Sequence, residues 1–302
     1  MKIILNEIPD ITTAIIKSRP SKICKSPYVA DARVINGDIM LHTPSLGCCG
    51  LVEKESTVLI SHIPPKKTKK KDDKPRCTHR TELAYVYENR HVMVVGVNPK
   101  LAERIAETAL ICNCIQGLTL QTPHSYSREQ TFLNSRFDFA GTTKSGQEFI
   151  LEIKNVPLAD YVDVPKKERK KYLNKIENMK YNDKISYFPD GYRKSNVDVV
   201  SPRALKHVQE LETIATTTDK RAILCFVIQR TDVKQFQPSN IDLTYKAAVQ
   251  KAWLNGVEIK TIVAKWTPQG KCYFVRNDLP ICLFEEEGPR LEENSSHTIS
   301  SS

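Results

Sequence analysis

The sequence predicts an α+β chain of more than one domain: a small N-terminal β-barrel over about residues 1–87, an α/β domain over 88–290, and a disordered tail over 291–302. Three observations carry this. Residues 28–62 read as short strands separated by turns, Asn98-Pro99 marks a helix start, and from residue 132 strands alternate with helices. With 302 residues and 40% hydrophobic side chains, the chain can build a core without staples.

In order, strands 29–34 and 39–42 flank the Asn36-Gly37 turn, and the loop from Pro44 to Gly50 leads to a strand at 57–60. A further strand at 82–87 can close a barrel. Asn98 caps a helix with Pro99 at its first position, and Leu101, Ile105 and Ala109 form its apolar stripe. Strands 136–140 and 148–156 then flank a turn at 142–146. Ser201 with Pro202 opens a helix to about Ala215, residues 222–229 form a buried strand, Asp242 caps a helix ending near Gly256, and 257–266 form another strand. The Ser-rich tail has too little apolar content to pack.

Composition narrows the function classes. Nine Cys form no Cys-x-x-Cys pair, which argues for reduced thiols rather than a disulfide scaffold or zinc knuckle. The N-terminal apolar run is too short for a secretory signal, and no stretch approaches the roughly 18 apolar residues of a membrane span. An intracellular protein, cytoplasmic or nuclear, not secreted and without a membrane partner, is expected. The formal charge of +10 gathers in two clusters. One contains Lys66, Lys67, Lys69, Lys70 and Lys71; the other runs from Lys166 to Lys184. Each is either a solvated surface or a surface for phosphates, whose counterions lysines displace.

The chemically informative segment is Arg136-Phe137-Asp138-Phe139-Ala140-Gly141, followed by Glu148-Phe149-Ile150-Leu151-Glu152-Ile153-Lys154. Alternation along a strand places Glu152 and Lys154 on one face, and a hairpin brings Asp138 opposite. Two adjacent carboxylates repel, and a hard cation such as Mg²⁺ (or Mn²⁺) relieves the repulsion. The alternative is a charged hairpin edge. Nearby candidates for contact with nucleic acid are Arg136, then Arg203, Lys206 and His207 near a helix N-terminus, and Gln229 at the end of a buried strand. Residues 203, 207 and 210 are expected on a face opposite Leu205, Val208 and Ala215. His207 has a purely structural alternative.

The blocks Ser135-Arg136-Phe137-Asp138-Phe139, Leu151-Glu152-Ile153-Lys154-Asn155-Val156-Pro157-Leu158-Ala159, Tyr187-Phe188-Pro189-Asp190 and Arg221-Ala222-Ile223-Leu224-Cys225-Phe226 resemble, in order, the sugar fermentation stimulation protein family. So does Leu41-His42-Thr43-Pro44-Ser45-Leu46-Gly47. The resemblance implies an oligonucleotide-binding (OB-like) barrel followed by a restriction-endonuclease-like domain of the PD-(D/E)XK nucleases, with a central mixed sheet. It implies Asp138, Glu152 and Lys154 as catalytic residues, Asp138, Glu152 and Glu129 as metal ligands, and DNA and/or RNA as partner. Glu129 has the alternative of a solvated loop residue. A non-catalytic DNA-binding regulator that retains the nuclease fold is the competing function. The segment Tyr161 to Ser186, longer than the family's connection, is expected to be an exposed helical element with Tyr172, Ile176 and Met179 docked and Lys170, Lys171, Lys175 and Lys180 free.

Overall fold

The structure, a computed structural model, describes residues 2–45, 47–64, 77–88, 90–189 and 199–284. The chain opens with β1 (Ile4–Glu7), β2 (Thr12–Ser18), β3 (Val29–Val34), β4 (Gly37–His42), β5 (Thr57–His62), β6 (His79–Glu88) and β7 (His91–Gly96). Next come α1 (Pro99–Ile111), β8 (Tyr126–Phe132), β9 (Ser135–Thr142), β10 (Glu148–Val156), β11 (Ala159–Asp160), α2 (Leu173–Glu177) and β12 (Lys184–Phe188). The rest comprises α3 (Pro202–Thr217), β13 (Arg221–Ile228), β14 (Val233–Pro238), α4 (Leu243–Leu254), β15 (Glu258–Trp266) and β16 (Lys271–Arg276). The fold is mixed α+β and mostly sheet.

Helix starts follow local chemistry. The Asn98 side chain accepts from Lys100 N–H with Pro99 at the first helical position. Ser201 accepts from Ala204 N–H ahead of α3, and Asp242 from Tyr245 N–H ahead of α4. Each cap satisfies an amide that has no partner within its helix.

A seven-stranded sheet runs β1-β16-β15-β13-β10-β9-β8. Its centre, β10, β13 and β15, is parallel, and the flanking pairs are antiparallel. Burial on both faces explains the unbroken apolar run Ala222 to Ile228 in β13. On one face Leu151, Ile153, Cys225 and Val227 pack with Leu101, Ile105 and Ala109 of α1. On the other, Ile150, Leu224, Phe226 and Ile228 pack with Val208 and Leu211 of α3 and Tyr245 and Val249 of α4. A small sheet, β11-β12-β14, lies beside it.

The N-terminal strands are hydrogen-bonded in the order β4-β3-β2-β5-β6-β7. Because β4 also pairs in parallel with β6 at Leu41–His79 and His42–Arg80, strands β2 to β6 form a closed ring. Small side chains fill it: Ala14, Ala30, Ala32 and Ala84 pack with Ile16, Leu41, Val58 and Ile60. The expected border near residue 87 is crossed twice: β1 joins the large sheet through β16, while β7 extends the ring sheet.

Between Tyr161 and Ser186 the expected helix is only a succession of turns, Arg169–Tyr172, α2 and Tyr181–Asp183. No apolar stripe sustains a longer helix: Tyr172, Ile176 and Met179 are only half-buried, and Lys170, Lys171, Lys175 and Lys180 are exposed. Lys66, Lys67, Lys69, Lys70, Lys71 and the 291–302 tail lie outside the described residues. Among those described, no helix is long and apolar enough to cross a membrane.

Candidate active site at the fork of two strands

Strands β9 and β10 pair from Thr142–Glu148 to Phe139–Leu151, where the ladder stops. The next β9 residue is Asp138. Its Oδ2 accepts the Ile153 backbone N–H at 2.7 Å, supplying the partner that the neighbouring strand no longer provides. Alternation along β10 sends Leu151 and Ile153 into the core under α1, and turns Glu152 toward α3. The Glu152 side chain is 4% exposed. Its Oε1 accepts from Lys154 Nζ at 2.5 Å and contacts His207 Nδ1, while Oε2 is buried with no partner.

Asp138, Glu152, Ile153 and Lys154 line a cavity of about 330 Å³ together with Glu103 from α1, Arg203 from α3 and Ser45 from the loop after β4. Burial pushes the Asp138 carboxyl up to about 7, and the negative Glu152 adds to the rise, against the Ile153 amide and Lys154. Burial also pushes Glu152 up, but Lys154 and His207 outweigh it and hold that carboxyl below its usual range. The pair thus keeps its charge on Glu152 and its proton on Asp138 at mildly acidic pH.

Among the described residues no three His, Cys, Asp or Glu side chains converge as a preformed metal cluster. The donor set nonetheless suits a hard cation. Glu152 Oε2 is orphaned, Asp138 lies in the same cavity, and an ion such as Mg²⁺ commonly takes only one or two carboxylates and keeps several waters.

Asp138, Glu152, Lys154 and Arg203 are brought together; other expected residues are not. Glu129 is exposed on β8, at a left-handed position (φ 54°), and pairs with Arg136 at 3.4 Å, so neither lines the cavity. The acidic side chain that does reach it is Glu103, whose charge contributes to the Asp138 rise. Its signal was its place in the second turn of α1, flanking the Leu101–Ile105 stripe. Lys206 is exposed and donates to the Asn134 carbonyl at 2.7 Å. His207 and Glu210 are buried instead of forming an outward face, because α3 lies over the sheet where Glu152 needs a partner. Gln229 is 0% exposed, accepting Trp266 Nε1–H at 2.6 Å and donating to Asn155 Oδ1. Arg230 forms a bidentate pair with Asp232.

Fold and cavity define a mixed α+β protein with a carboxylate and lysine cluster at the end of its central sheet. The family model for the sugar fermentation stimulation protein RE domain matches residues 100–270. The chain belongs to the sugar fermentation stimulation protein family. A homolog from Clostridium tetani is 25% identical over 233 residues, 77% of this chain and 83% of that protein. One from Clostridium novyi is 27% identical over 255 residues, 84% and 90% of the two chains. The structure of Pyrococcus furiosus SfsA in complex with Ca²⁺ superposes with a TM-score of 0.67 at 15% identity, covering 92% of this chain and 99% of that one.

Proposed function

We propose that this chain hydrolyses phosphodiester bonds in DNA and/or RNA with a divalent cation, Mg²⁺ or Mn²⁺. The observation that carries the reading is the meeting of Asp138, Glu152 and Lys154 in one cavity, with Glu152 Oε2 buried and unpartnered. Asp138 and Glu152 would hold the cation, with Glu103 beside them. The cation supplies polarisation of the phosphodiester and a lower pKa for the attacking water. Lys154 neutralises charge developing on the phosphoryl oxygens, and Arg203 at the start of α3 orients the phosphate. His207 holds Glu152 through its first oxygen, which leaves the second one without a partner. That a protein of the same fold has been solved with Ca²⁺ also supports an oxygen-ligated cation.

In this reading the ring of β2 to β6 is an OB-like nucleic-acid-binding barrel, and the large sheet with α1 and α3 is a restriction-endonuclease-like core. The functional division between ring and large sheet, the phosphate role of the Lys66–Lys71 run and an intracellular location belong to the same proposal. Incubating the protein with labelled single- and double-stranded DNA and RNA in Mg²⁺, Mn²⁺ or EDTA tests it. Cleavage should require the cation and vanish in Glu152→Gln and Lys154→Ala. Full cleavage in EDTA, or by Glu152→Gln, overturns the proposal, and binding without cutting favours the regulatory alternative.

A further inference from the structure

A second cavity, of about 350 Å³, lies between β7 and the far end of the large sheet. Tyr85, His91, Tyr181, Arg230, Lys265 and Trp266 are among its lining residues. It and the first cavity share one edge of the sheet. Asn155, which lines the first, is bonded to Gln229, and Gln229 is bonded to Trp266, which lines the second. This row follows the carboxyl ends of the parallel strands β10, β13 and β15, where sheets of this kind take ligands. Gly96 of β7 allows the close approach: a Cβ there would fall 1.8 Å from Gln229 Oε1 and 2.8 Å from Trp266 Nε1.

The lining suits a flat heteroaromatic ring on an anionic chain. His91 is exposed and stacked on Tyr181, with ring centroids 3.9 Å apart and planes 19° from parallel. Lys184 Nζ sits 3.8 Å from the Tyr181 ring centroid, so Tyr181 is clamped and holds His91 as a platform. Tyr85 and Tyr87 form another near-parallel pair at 5.8 Å, and Tyr87 is 62% exposed. Lys265 is exposed and has no ion-pair partner among the described residues. Aromatic platforms stack on bases freed from a helix, whereas the base faces of a duplex are covered by their neighbours.

We infer that this cavity takes an unpaired base of a single-stranded nucleic acid whose backbone crosses the Asn155–Gln229–Trp266 row toward Asp138 and Glu152. The inference rests on the nuclease reading and adds the substrate class. The test uses full-length Glu152→Gln protein, or wild type in EDTA, with fluorescent single-stranded DNA, single-stranded RNA and blunt duplex of one sequence. Single strands should bind more tightly than duplex, and the two single-stranded arms identify the sugar. His91→Ala should weaken single-strand binding about tenfold, and His91→Phe should restore it, because stacking needs the ring and not its charge. Lys265→Gln should flatten the slope of log affinity against log salt by about 0.7. Affinity within about twofold of the parent for His91→Ala, or equal binding of duplex, overturns this inference and leaves the nuclease reading standing. No nucleic-acid binding in any arm overturns both.

Discussion

Replacing Asp138 by Asn should stabilise the protein in the absence of divalent cations and abolish the proposed cleavage. The carboxyl is raised from the ordinary 3.8 to about 7 in the fold, first by burial and then by Glu152. Folding therefore takes up a proton between those values. Wild-type stability should fall as pH rises from about 4 to about 7 and stay lowered above it. At about 1.36 kcal/mol for each pH unit, the ceiling of the effect is about 4 kcal/mol. Asn keeps an oxygen able to accept the Ile153 amide and never ionises, so it removes the slope. Urea denaturation in EDTA should find Asp138→Asn more stable than wild type by about 1–4 kcal/mol at pH 8 and equal to it near pH 4. Saturating Mg²⁺ at pH 8 should then raise the stability of wild type more than that of the variant. An Asp138→Asn protein no more stable than wild type at pH 8 in EDTA would refute the reasoning.

Glu103→Gln should weaken Mg²⁺ binding and slow cleavage, measured by calorimetry and turnover, whereas Glu129→Gln should change neither, since Glu129 lies outside the cavity. Gly96→Ala should cost about 2–4 kcal/mol, read from thermal unfolding, because its Cβ collides with the Gln229 amide. Asp232→Asn should cost about 3–5 kcal/mol, as it strips Arg230 and Lys184 of a buried counter-charge. Burial pushes the Asp232 carboxyl up, but Arg230 and Lys184 together hold it below its usual range. Its stabilisation is therefore present above the unfolded value of 3.8 and is lost as pH falls through the lower folded one, which acid titration of wild type against the variant would show.

What the sequence made legible was local. Asn98-Pro99, Ser201-Pro202 and Asp242 announce helix starts because a cap acts within one turn, and the apolar runs of β10, β13 and β15 announce buried strands. Asp138, Glu152 and Lys154 could be placed together because they share a hairpin. Features fixed by distant pairing stayed hidden. Nothing in Ile4–Glu7 signals its partner β16, more than 260 residues away. His207 and Glu210 read as an outward face because their burial depends on the carboxylate beneath α3. Glu103 escaped notice because its helix lies far from the motif in sequence, and only tertiary packing joins them.

Because β1 is bonded to β16 before the chain enters the ring, the ring is threaded into the larger unit as an inserted module with two attachment points. The incoming link is pinned where Ile8 N–H donates to the Gly270 carbonyl at 2.9 Å, and the outgoing one where Asn98 Nδ2 donates to Glu82 at 2.7 Å. A module hung on one linker can swivel, whereas one anchored at both ends has its rotation confined. Cutting the chain near residue 87 would therefore sever an edge strand from the large sheet, and a unit that keeps this sheet whole must instead splice the end of β1 to the start of α1. For the same reason that sheet cannot be completed on a ribosome until β16 has emerged, so β1 waits unpaired while more than 260 further residues are made.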